Sequence, residues 1–262
     1  MSAGPPPTGP DRADARLVAV CWDVDGTLLH GGTVGGDVLR RAFAAVTGLV
    51  APGPIAMGGM TDRLVADAYR DALPAVDADP LHARGDAYGE EFAAAVAREW
   101  AGRAAELEAV SVLLPGVRAA LDALAAEPHV VQAVVTGNVR AGAEAKLAAV
   151  GLLPGPLDLE VGAFGDIPGP RVGLLHAARA AVRARHRRPV ALVVVGDTPR
   201  DVEAAHAAGA VAVGVATGAA TADELHAAGA EHVLPDLSDS SRLLAAVRTA
   251  REDGVRTTRG SV

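Results

Sequence analysis

Four short apolar runs, each ending in a loop that bears Gly, Thr, Asp or Asn and leading into an Ala-rich stretch, constrain this chain most. They are Leu17–Trp22, Val130–Val135, Val190–Val195 and Val211–Val215, with a brief fifth at His232–Leu234. Continuous apolar runs of this length suit strands buried on both faces of a parallel sheet. The Ala-rich stretches between them have helical spacing and stop at Gly151, Gly209 and Gly229, where a left-handed C-cap is wanted. Strand–loop–helix repeats predict an α/β, Rossmann-like, doubly wound parallel sheet, in which ligands sit at the carboxyl ends of the strands. The 262 residues, half of them hydrophobic, suffice for such a core and a smaller inserted unit.

The stretch from 36 to 110 breaks the alternation. Helical patterning covers Asp37–Thr47, Thr61–Leu73 and Pro80–Trp100, interrupted by a loop with Pro52, Gly53, Pro54, Gly58 and Gly59. An all-α insertion directly after the first strand's loop is placed to cover a strand-end site, though an ordinary helical subdomain shows the same pattern. The predicted organisation is a disordered tail over 1–15, a core from 16–35 and 111–250, a cap over 36–110 and a flexible tail over 251–262.

Composition excludes some classes of function. A net charge of −8 with 3% aromatic residues supplies neither the positive field nor the stacking platforms of a nucleic-acid binder. No apolar run is long enough to span a membrane, and residues 1–16 contain no apolar signal-peptide core. Cys21 is the only cysteine, so no internal disulfide forms and a reducing, cytoplasmic setting is expected. The expected partner is a small metabolite, the chain acting as monomer or homodimer.

The loops carry the chemistry. After the first strand stands Asp23-Val24-Asp25-Gly26-Thr27. Two carboxylates two residues apart point to one side of an extended chain, and burying both calls for a cation, most simply a divalent metal. One can then attack phosphorus while the other handles the leaving group's proton; a solvated acidic turn is the alternative. Thr136-Gly137-Asn138 ends the second strand with donors for phosphoryl oxygens, or is an ordinary turn. Gly196-Asp197-Thr198-Pro199-Arg200-Asp201 ends a later strand. There Asp197 suits a metal, while Asp201, one turn on, either faces the same cavity or favours the helix's positive end.

Taken together, WDVDGTLLH, VVTGN and VVVGDTPRD resemble the haloacid-dehalogenase-like superfamily, specifically its phosphoglycolate-phosphatase-like subgroup with a helical cap, over residues 17–249. The resemblance implies Mg²⁺-dependent hydrolysis of a small phosphorylated metabolite, with Asp23 as nucleophile forming an aspartyl-phosphate and Asp25 as acid/base. It implies Mg²⁺ held by the Asp23 carboxylate, the Asp25 carbonyl and Asp197, supported by Asp201, and a phosphoryl group held by Thr136, Gly137 and Asn138. The family's Lys or Arg between the second and last motifs falls to Arg171, whose alternative is a surface position on a Pro/Gly-rich loop. Lys146, the only lysine, lies too early for that role. Where many relatives carry a basic cap residue before Thr-Asp, this chain has Met60, which favours a less charged substrate or draws in Arg63. Thr61 and Asp62 suit a helix N-cap pair.

Several rivals weaken on the same residues. Asp25 argues against a dehalogenase, and the lack of lysine over 34–110 against Schiff-base phosphonate cleavage. No phosphate-binding G-x-x-x-x-G-K-[ST] run supports an NTPase. A receiver domain explains neither the insertion nor the Asp-Gly-Thr turn. A sugar phosphomutase, or a non-catalytic relative, stays open.

Overall fold

The structure, a computed structural model, describes residues 16–259, with side chains through Glu252. β1 (Leu17–Trp22) and β2 (Leu29–His30) precede five helices: α1 (Val34–Thr47), α2 (Asp62–Asp71), α3 (Ala75–His82), α4 (Asp86–Trp100) and α5 (Ala104–Val110). β3 (Val112–Leu113), α6 (Val117–Ala125), β4 (Val130–Val135), α7 (Arg140–Ala149) and β5 (Asp158–Ala163) follow. The chain continues through α8 (Arg171–His186), β6 (Val190–Gly196), α9 (Pro199–Ala207) and β7 (Val211–Val215). It closes with α10 (Ala222–Ala227), β8 (His232–Leu234) and α11 (Ser240–Arg259).

Six strands form one parallel sheet in the order β5-β4-β1-β6-β7-β8. β1 lies inside it, with Trp22 level with Val134 of β4 and Val195 of β6, so three strand-end loops emerge side by side. Alternation along the strands assigns residues to opposite faces. Val18, Val20 and Trp22 pack with Val134, Leu121, Leu147 and Leu243 on one face. Ala19 and Cys21 pack with Val135, Leu174, Val202 and Leu225 on the other. This is the doubly wound α/β core that the apolar runs predict.

The edge strand β5 has no counterpart among the predicted runs. Its sequence, Asp-Leu-Glu-Val-Gly-Ala, alternates charge with apolar residues, as a half-exposed edge strand does, and so carries no continuous apolar signal. The pattern over Pro80–Trp100 likewise divides into α3 and α4, because Gly85 between them turns with φ 52°.

Helices α1 to α5 gather around their own core of Val38, Phe43, Val65, Tyr69, Phe92 and Leu107. β2 and β3 pair antiparallel where the chain leaves and re-enters the sheet domain. The predicted tail over 1–15 and residues 260–262 lie outside the described residues, whereas α11 continues past 251 to Arg259. Among the described residues no helix is long and apolar enough to cross a membrane.

Candidate active site

The loop after β1 begins under control of the sheet. The Asp23 N–H donates to Val195 O at 3.0 Å, which extends the central pairing one residue beyond β1 and fixes the Asp23 backbone. Gly26 then turns the chain with φ 78°, and its N–H donates to Leu29 O. A Cβ at Gly26 would stand 2.3 Å from Asp197 Oδ2, and one at Gly218 only 1.6 Å from it. The Asp197 carboxylate therefore lies in a cradle that only glycines leave open. Gly218 belongs to a fourth loop, after β7, which the sequence reading leaves unassigned. Its neighbour Thr217 ties that loop to the first by donating to Gly26 O at 2.6 Å.

Asp23, Asp197 and Asp201 are buried, and each offers an oxygen within 4.8 Å of the others. Asp201 caps its helix and also joins the acidic cluster, without lining the main cavity. Its Oδ2 accepts from Thr198 N–H (3.1 Å) and Thr198 Oγ1 (2.6 Å), completing a capping box at the start of α9. Its Oδ1 is buried without a hydrogen bond and lies 2.5 Å from Arg171 Nη2. Arg171 is not a surface residue: it opens α8, is buried, and its Nη2 also reaches Asp23 Oδ1 at 3.0 Å.

These charges perturb one another. Burial, then Asp23 and Asp201, push the Asp197 carboxyl up to about 8. Burial raises Asp23 too; Arg171 opposes this, while Asp201 and Asp25 add to it. Burial would lower Arg171, but Asp201 and Asp23 outweigh it and hold the guanidinium protonated. Three carboxylates share one guanidinium, so the cluster has donor oxygens and charge to spare for a second cation. An all-oxygen donor set from three buried carboxylates fits a hard divalent ion such as Mg²⁺.

The Asp25 side chain turns away from this group. Its Oδ2 accepts from Lys146 Nζ at 2.6 Å and from Asn138 Nδ2 at 2.8 Å, and 47% of the side chain stays open to the cavity. Enclosure raises its pKa, but Lys146 and Asn138 outweigh that and hold it below the usual carboxylate range. Sequence position alone misses Lys146. The loop Thr136–Val139 turns α7 back across the site, so a residue one helix beyond Thr136 arrives beside Asp25. There Lys146 is buried, with Nζ 2.6 Å from Asn138 Oδ1 and 5.3 Å from the Trp100 ring centre. It is Arg171, not Lys146, that meets Asp23. Thr136, fully buried, accepts from Asn138 Nδ2 at 2.9 Å, which leaves its own proton for a ligand.

The cap closes the other side. A Cβ at Gly137 would stand 2.0 Å from Met60 O, and the Asp62 N–H donates to Gly137 O at 2.7 Å. Thr61 caps α2 through Leu64 N–H (3.2 Å), while Asp62 Oδ2 accepts from Val139 N–H at 2.8 Å. Asp62 thus joins cap to core as well as starting a helix. Arg63 donates to Asp86 O within the cap and does not line the main cavity; Met60 does. That cavity, about 380 Å³, runs from Asp23, Asp197 and Arg171 to an apolar wall of Leu39, Met57, Met60, Val65, Val96 and Trp100.

Comparison with known proteins bears on the family and the fold. A family model described as haloacid dehalogenase-like hydrolase matches residues 17–209. A search of curated proteins finds no match. A hydrolase from Pseudomonas syringae is a similar solved structure, at 20% identity and TM-score 0.60, covering 87% of this chain and 97% of its own. A predicted phosphoglycolate phosphatase from Haemophilus somnus has 18% identity and TM-score 0.57, covering 90% and 100%. A protein from Bacteroides vulgatus, provisionally assigned as a beta-phosphoglucomutase, has 18% identity and TM-score 0.59, covering 90% and 91%. At such identities these structures share the fold.

Proposed function

Since the chain belongs to the haloacid dehalogenase-like hydrolases, we propose that it is a Mg²⁺-dependent phosphatase of a small phosphorylated metabolite, working through an aspartyl-phosphate on Asp23. The observation that carries this reading is the pairing of a buried Asp23, gripped by Arg171 at 3.0 Å, with Asp25 at the open side of the same cavity. Asp23 faces both a guanidinium and the acidic cluster and also lines the cavity, as a nucleophile toward a phosphate dianion must. Asp23, Asp197, Asp201 and the Asp25 carbonyl would hold Mg²⁺, which when bound offsets charge on the phosphoryl oxygens.

Arg171 aligns Asp23 and presents its remaining N–H groups to the phosphoryl oxygens, a task for which its planar fork is suited. The Thr136 hydroxyl and the amides of Gly137 and Asn138 hold the same oxygens. As Asp23 Oδ attacks phosphorus, the bond to the ester oxygen breaks and that oxygen takes a proton from Asp25. Lys146 holds Asp25 ionised in the empty site; a phosphate dianion arriving beside it raises its proton affinity, so Asp25 takes up a proton from solvent before it donates to the ester oxygen. In the second half Asp25 takes a proton from the water that attacks the phosphoryl-aspartate, releasing phosphate and restoring Asp23.

The apolar wall opposite Asp23 supports an organic group with little charge of its own. Lys146, which stands beside Trp100 of that wall, already faces Asp25. A cytoplasmic setting fits the free, buried Cys21.

The test is hydrolysis of an aryl phosphate with and without Mg²⁺, for the native chain and Asp23→Asn. We expect metal-dependent turnover that Asp23→Asn lowers at least ~10³-fold, the scale of losing a covalent nucleophile. Undiminished turnover in the variant would falsify the proposal. Incubation with hexose 1-phosphates, with product analysis, separates phosphate release from the isomerised sugar phosphate a mutase would make.

A further inference from the structure

At the amino end of the sheet, opposite the candidate active site, a second cavity of about 540 Å³ is lined by Arg16, Arg179, Arg183, Arg187, Arg188, Pro189 and Val190. Arg16 leads into β1 and Pro189 into β6, and the two segments are tied by Leu17 N–H donating to Pro189 O at 2.9 Å. Arg179 and Arg183, four residues apart, share one face at the end of α8, and Arg187 follows just past that end. Arg187 itself closes that helix with φ 52°.

This concentration of charge is costly as it stands. Like charges four residues apart on a helix repel, and Arg16 adds to the field that lowers the pKa of Arg179, whose largest cause is burial. Arg179 Nη2 donates to Ala208 O at 2.7 Å, yet its Nε is buried with no partner among the described residues. The neighbouring Arg185 pairs with Asp158, but no described carboxylate pairs with Arg16, Arg179, Arg183 or Arg187. All this occurs in a chain of net charge −8, so the patch runs against the overall sign.

We propose that this cavity is a binding site for a compact oligophosphate anion, separate from the catalytic centre. Several guanidinium groups converging on one cavity match the many oxygens of linked phosphates. Its other lining residues are Pro189 and Val190, with no aromatic ring to stack a base. The site therefore reads the phosphate chain, whether it comes free or on a nucleotide. Nothing nucleophilic lines the cavity, so the anion is bound without being cleaved.

The experiment is calorimetric titration of tripolyphosphate into the full chain in Mg²⁺-free, EDTA-containing buffer at low salt, with Arg183→Gln/Arg187→Asn alongside. Asn tolerates the left-handed backbone at 187, and both side chains are exposed. The catalytic cavity is the same in both proteins, so any difference belongs to the arginines. We expect the double variant to bind at least about tenfold more weakly, a loss of ~1.4 kcal/mol. Its aryl-phosphate hydrolysis and melting temperature should stay unchanged.

ATP should bind about as tightly as tripolyphosphate, and inorganic phosphate far more weakly. Equal tripolyphosphate affinity in the two proteins overturns the proposal, and so does binding of ATP without tripolyphosphate. Should the double variant fail to fold, Arg183→Gln alone decides: unchanged affinity overturns the site, and a clear loss supports it.

Discussion

Lys146 shows how a residue's neighbours, rather than its place in the chain, set what it does. Its ammonium is buried against Trp100 and shared by Asp25 and Asn138, so it fixes the proposed acid/base group without touching Asp23. In Lys146→Met the Asp25 carboxylate loses its largest stabilising partner and its fixed orientation. We expect kcat for an alkyl phosphate to fall roughly 10- to 100-fold, the scale of a misplaced general acid. An aryl phosphate, whose leaving group hardly needs a proton, should lose much less. Equal losses for both esters would mean that Lys146 serves binding alone. The three strand-end loops were legible as a constellation, because Asp23, Thr136 and Asp197 each stand just past the end of an apolar run. Lys146 and Gly218 were not, since their roles depend on how α7 turns back and how closely the loop after β7 approaches Asp197. A Cβ clash cannot be seen in a one-dimensional spacing.

Between elements, the cap meets the sheet domain chiefly at the loop after β4. There Asp62 ends its side chain on Val139 N–H and its backbone on Gly137 O, while Arg200 of α9 donates to Gly58 O. Burial pushes the Asp62 carboxyl up to about 6, against the lowering influence of the Val139 N–H. Because the folded value is raised, the stability tied to Asp62 is full below pH ~4 and is lost as pH rises through ~6. Asp62→Asn keeps the acceptor and removes the charge. Thermal melts should show the variant more stable by roughly 1–3 kcal/mol at pH 7.5 and indistinguishable near pH 4. A variant less stable at pH 7.5 would show that the ionised carboxylate strengthens the junction. The main strands were evident from their sequence because both faces of each are buried. The edge strand β5 was not, because solvent on one side lets Asp and Glu into it.

For the whole molecule, the proposed metal would be a folding ligand as well as a chemical one, because the acidic cluster is costly without it. With the Asp197 carboxyl pushed up to about 8 by burial and its acidic neighbours, ionising it costs the metal-free fold more as pH rises from ~4 through ~8. Melting temperature in EDTA should therefore fall between pH 6 and pH 8.5, and Mg²⁺ should restore more at pH 8.5. A metal at a hundredfold excess over its Kd contributes about 2.7 kcal/mol, which corresponds to roughly 5–10 °C in a chain of this size. Asp197→Asn should abolish most of that rise; a full response in the variant would place the metal elsewhere. A different consequence follows from Val139. This residue belongs to the loop after β4, yet its side chain is buried in the cap's own core beside Trp100 and Leu107. Swinging the cap away would wet an apolar cluster, so any wider opening of the cap has to expose Val139 and its neighbours to water.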